Sequence, residues 1–128
     1  CLVAGIVAGI FAGMTSAFPG GQIPNVIDKF ITTNIMFLVM TLSYKLPFIK
    51  SLGDKVKDII VTGIMMVVGT FVSGTIFLTA AQIIVGLPGN FTVLFMSVVV
   101  PAVAINLIVG VLIYKIVNVT VQKAILNA

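Results

Sequence analysis

The chain has 128 residues, 60% of them hydrophobic and 8% charged, with a formal net charge of +4 and a mean hydropathy of +1.31. A water-soluble domain of this size leaves much of its surface exposed and cannot hide so much apolar area, so the bilayer is the expected solvent. With no histidine and a single cysteine, Cys1, the chain cannot assemble an internal disulfide, a zinc cluster or a Cys/His nucleophile. Its lysines, scattered or in one short loop without an aromatic-basic surface, do not make a nucleic-acid interface.

An all-α, polytopic membrane protein with four transmembrane helices is predicted, the spans covering about residues 2–18, 26–42, 59–85 and 91–113. Helices are favoured over strands because the apolar runs exceed a barrel strand's roughly 10 residues and do not alternate. The third span is long enough to tilt or protrude. Beyond Lys115 the tail mixes apolar and polar residues, as a helix leaving the membrane or lying along it does. The chain opens on Cys1 and is apolar at once, without the basic flank of a signal peptide. It therefore reads as one transmembrane domain, residues 1–128, that begins inside a longer membrane protein.

Lys45, Lys50, Lys55 and Lys57 fall between the second and third spans, which puts that loop in the cytoplasm. Lys115 and Lys123 place the tail there independently, so both ends of the chain are expected inside and the Pro19–Asn25 loop outside. Asn25, Ser51 and Asn90 are the predicted helix caps, the first two each three residues before an aspartate. Tyr44 and Tyr114 suit the cytoplasmic interface. Ala4-Gly5, Ala8-Gly9 and Ala12-Gly13 repeat every four residues, a smooth stripe for close helix approach, and Gly69, Ser73, Gly74, Asn106 and Gly110 give weaker versions. Pro101, mid-span, is expected to bend the last helix, helped by a Ser97 hydroxyl reaching back to the Val93 carbonyl.

The segment from Phe18 through Pro19-Gly20-Gly21-Gln22-Ile23-Pro24-Asn25-Val26-Ile27 to Asp28-Lys29 carries the chemistry. Prolines and glycines break the helix and free backbone groups, a helix N-terminus follows, and an acid and a base stand side by side. Two readings remain open. In one, Asp28 and Lys29 clamp a zwitterion, Lys29 or the helix end meeting a carboxylate and Asp28 an ammonium. In the other, Asp28 completes a helix cap and Lys29 snorkels to the headgroups. Met14, Phe18, Phe30, Phe91 and Phe95 offer an apolar pocket, with Thr15, Ser16, Gln22 and Asn25 as hydrogen-bonding groups. The same aromatic and methionine residues also suit lipid contact or ordinary core.

The Phe18–Lys29 segment, together with Val85 to Asn90 and the Val100-Pro101 and Asn106 positions, resembles the TrpP family of bacterial tryptophan transporters. The likeness extends along the whole chain, which would correspond to the last four of six spans. It implies a pocket for tryptophan or a related amino acid on the outer side near residues 14–30, formed by Phe18, Gln22, Asn25, Asp28, Lys29 and Phe30. It also implies residence in a bacterial cell membrane and a fold similar to the substrate-binding S-components of energy-coupling-factor importers. Those are six-helix bundles driven through a T-subunit by ATPases. No cofactor and no intrinsic catalysis are expected: there is no Walker-type glycine loop, and one acid with one lysine makes no catalytic set. The competing reading is an assembly subunit that docks a larger complex through its Ala/Gly stripe and takes no small ligand.

Overall fold

The computed structural model describes residues 1–126, in which helix is the only regular structure. In chain order these are α1 (Leu2–Met14), α2 (Gln22–Ser43), the short α3 (Pro47–Lys50), α4 (Asp54–Ile84), α5 (Phe91–Leu94) and α6 (Val100–Leu126). A π-helical turn at Phe95–Val99 joins α5 to α6, so that Phe91–Lys123 is one apolar rod of 33 residues. Three helices among the described residues, α2, α4 and this rod, are long and apolar enough to cross a membrane.

The first predicted span is therefore corrected to a shorter helix. α1 has 13 residues, a rise of roughly 20 Å against the ~30 Å of a hydrocarbon core. It stops at Met14 because Pro19 disfavours helical geometry at Phe18 and Gly20 turns the chain with φ 72°. The Thr15 hydroxyl and N–H both donate to the Phe11 carbonyl, at 2.9 and 3.1 Å, closing the helix end. α2 starts four residues before the predicted 26. Pro24 sits in its first turn, where a missing N–H is no loss, so the helix begins at Gln22.

Two predicted caps change with those boundaries. Asn25 lies inside α2, whose N-cap is Gly21, and Gly53 rather than Ser51 precedes α4. Asn90 does cap α5, accepting from the Thr92 N–H at 2.8 Å. At the proline, Pro101 is only the second residue of α6, and the wider π-helical turn just before it absorbs the missing donor. The Ser97 hydroxyl meets the Leu94 carbonyl, at 3.4 Å, not that of Val93.

α1 packs on α2, α2 on α4, and α4 on the π turn and α6. The buried Gly5, Gly9 and Gly13 make the first contact: a Cβ at Gly9 would stand 3.0 Å from the Val26 carbonyl oxygen. Ala4 and Ala8 stay exposed, so the glycine row of the stripe is filled by this chain's own α2. Val99 of the π turn lies against Gly74, and Met66 of α4 against Gly110 of α6. Outward-facing Leu2, Phe11, Phe37, Ile105, Ile108 and Leu112 are exposed, as a lipid-facing surface requires.

The ends of α2, α4 and α6 that carry most of the lysines meet at one carboxylate. Asp58 accepts from the Tyr44 hydroxyl at 2.9 Å and from the Tyr114 hydroxyl at 3.3 Å. Burial, followed by the hydrogen bond and charge of Asp58, raises the Tyr44 phenol above its ordinary 10.0, so the donor stays protonated at neutral pH.

The α1–α2 contact gives a direct test. Gly9→Leu should lower the unfolding midpoint in detergent, by roughly 1–3 kcal/mol of overpacking, whereas Ala8→Leu on the exposed side should leave it nearly unchanged. Equal effects at the two positions would refute this packing.

Candidate functional site

Asn25, Asp28, Lys29 and Thr32 follow helical i, i+3, i+4, i+7 spacing and share one face of α2. Opposite them α4 presents Thr70, Ser73 and Phe77, and the π turn and α6 supply Val98, Val99, Ala102 and Asn106. Between these three elements lies a cavity of about 600 Å³, inside the ~300–1,000 Å³ common for small-molecule sites.

Its charged pole is Asp28, only 1% exposed. One carboxylate oxygen, Oδ2, accepts from Lys29 Nζ at 2.6 Å and from the Ser73 hydroxyl at 2.8 Å; the other, Oδ1, accepts from Thr32 at 2.8 Å. Lys29 Nζ also donates to Ser73 Oγ at 3.0 Å, which closes a triangle between α2 and α4. A buried charge is tolerated when paired and hydrogen-bonded, and Asp28 is both. The helix-cap role for Asp28 does not hold, because it is the seventh residue of α2 and is bonded to side chains. Lys29 is 36% exposed and borders the cavity with one N–H beyond the two it uses.

Of the residues singled out in the sequence, Phe18, Asn25, Asp28 and Lys29 line this cavity, and Phe18 meets Phe77 edge-on at 5.6 Å. Gln22 and Phe30 are not among its lining residues; their backbones face Gly13 and Gly5 of α1. Met14 is 81% exposed, while Phe91 and Phe95 stack on each other and Phe95 meets Phe71 at a tilt, none of them in the lining. Asn25 donates to Ser16 Oγ at 2.8 Å, pinning the irregular segment to α2. Sequence reasoning missed Thr32, Thr70 and Phe77, and read Ser73 and Asn106 as packing residues. Thr32 was discoverable, four residues after Asp28. Ser73 was not, because 45 positions separate it from its partner.

A buried ion pair thus borders an apolar cavity between span-length helices. The family model "Tryptophan transporter TrpP" matches residues 1–122. The chain belongs to that family. It is 45% identical over 123 residues to a probable tryptophan transport protein of Clostridium perfringens, covering 96% of this chain and 68% of the relative. A protein of the same description from Clostridium acetobutylicum is 46% identical over 114 residues, covering 89% of this chain and 61% of the relative. The Bacillus subtilis counterpart is 42% identical over 123 residues, 96% of this chain and 66% of its own length. The chain thus spans about two thirds of these relatives. No solved structure matches it. The family and these relatives carry the names of transport proteins, not enzymes.

The ion pair can be tested for mutual dependence. Asp28→Leu, which strands Lys29 beside the cavity, should destabilise the folded protein by roughly 2–4 kcal/mol, toward the low side of buried-pair losses because Lys29 is partly exposed. The double variant Asp28→Leu/Lys29→Leu should recover much of that loss in detergent unfolding. Strictly additive effects would show that the two side chains do not stabilise each other.

Proposed function

We propose that the cavity between α2, α4 and α6 binds tryptophan for import across a bacterial cell membrane. The observation that carries this reading is Lys29: it is held by Asp28 and Ser73, yet is open to the cavity with a donor to spare. Lys29 receives the substrate carboxylate. Asp28 is already bonded to Lys29, Ser73 and Thr32, so its part is to hold the lysine in place. The substrate ammonium goes to Asn25 Oδ1, one helical turn from Lys29, since the amide's other end is committed to Ser16. Met65, Met66 and Ala102 of the lining offer the apolar surface for the substrate's ring. Asp28 and Lys29 sum to zero charge, and a zwitterion adds none, so loading leaves no net charge inside the membrane.

Sidedness follows from the lysines. Tyr44, Asp58 and Tyr114 gather the lysine-bearing helix ends, which we assign to the cytoplasm. Lys29 stands 15 residues before Tyr44, about 22 Å along the helix, which puts the charged pole toward the outer half. The S-component resemblance and the relatives' greater length support reading α1, α2, α4 and the α5–α6 rod as the last four helices of a six-helix bundle. The T-subunit and ATPases enter through the S-component resemblance. An assembly subunit is not favoured, because the glycine row it would use already packs on α2.

The test is tryptophan titration of the detergent-purified protein, following indole emission; this chain contains no Trp and adds no competing signal. Lys29→Ala should weaken saturable binding roughly 10–100-fold, the worth of a charged hydrogen bond, while Lys55→Ala at the far end should not change it. Unchanged binding in folded Lys29→Ala protein would overturn this assignment.

A further inference from the structure

The cavity has a second polar station, which the charged pole does not use. Asn106 lies on the apolar rod, and its Nδ2 donates across to Thr70 Oγ1 of α4 at 3.0 Å. The orientation of this amide is settled by its neighbour. The single Thr70 hydroxyl proton goes to the Met66 carbonyl at 2.7 Å, so Thr70 can only accept from Asn106, and the amide must turn its NH2 toward it. Asn106 Oδ1 is left over. Among the described residues it accepts no hydrogen bond; Asn106 is exposed and borders both the cavity and an apolar groove beside it, so a ligand that fills the cavity covers this acceptor. An open amide acceptor in a membrane-spanning helix is costly unless something donates to it.

The spacing of the two stations selects the donor. Thr70 and Ser73 are three residues apart on α4, a rise of ~4.5 Å. Between the Lys29 pole and the Asn106 acceptor the lining includes Ala102, one helical turn before Asn106, whose small side chain gives a flat ring a floor. A ligand that sets its carboxylate on Lys29 and lays a ring along this floor brings a ring N–H toward Asn106.

We infer that Asn106 is a specificity-determining residue whose Oδ1 accepts the indole N–H, so that the cavity selects tryptophan over aromatic amino acids without a ring donor. This rests on the assignment of the cavity as the tryptophan site. Selection follows because a ligand lacking the N–H leaves the Asn106 acceptor desolvated and unpaired.

The experiment compares tryptophan with 3-benzothienylalanine, in which sulfur replaces the ring N–H at nearly the same shape, by calorimetric titration of the purified protein. The unaltered protein should prefer tryptophan roughly tenfold or more. Asn106→Leu should bring the ratio near one by weakening tryptophan alone. If Asn106→Leu does not fold, Thr70→Val keeps the shape, removes the acceptor that orients the amide and should also lower the ratio. An unchanged ratio in either folded variant, or no preference in the unaltered protein, overturns the role of Asn106 while leaving the cavity assignment standing. Failure of both ligands to bind the unaltered protein overturns the cavity assignment, and this inference with it.

Discussion

The ion pair between Asp28 and Lys29, cross-linked through Ser73, is the constraint around which the site is arranged. In a chain whose outward faces are apolar, a carboxylate that is 1% exposed persists only with its hydrogen-bonding needs met from the protein. Those partners come from α2 itself, through Lys29 and Thr32, and from α4, through Ser73. Meeting that demand fixes which face of α2 turns toward α4. Asn25, one turn before Lys29, is thereby brought to the same cavity.

Close packing supplies the rest of the geometry. With little hydrophobic force between helices in lipid, association depends on close contact, and glycines at α1–α2 and α4–α6 permit it. Tyr44, Asp58 and Tyr114 tie the opposite end. The helices are thus joined by polar contacts near two ends of the cavity-bearing bundle, while the wall between them stays apolar apart from the Thr70–Asn106 pair. A family of tryptophan transporters needs both properties: a place for a charged amino-acid end and one for an aromatic ring.

Much of this was legible in the sequence because it depends on hydropathy and local spacing. The long apolar runs, the lysine-bearing ends and the importance of residues 18–29 all follow from composition along the chain. Boundaries were less legible where proline is ambiguous. Pro24 looks like a helix breaker but sits harmlessly in a first turn, and so Asn25 moved from a cap to a cavity wall. The length of α1 was hidden because Thr15 to Phe18 is apolar enough to continue a span, yet Pro19 and the threonine hydroxyl end the helix early. Ser73, Thr70 and Asn106 were invisible as site residues. Their meaning comes only from which side chain of another helix each one meets.

The central claim is that a neutral charge pair inside the bundle receives a neutral zwitterion. The most direct measurement is competition against bound tryptophan by tryptamine, which keeps only the ammonium, and by indole-3-propionate, which keeps only the carboxylate. Both should compete far more weakly than tryptophan itself, because each adds a net charge to the site and leaves one of its polar stations unfilled. Competition by either one as strong as that of tryptophan would contradict the account.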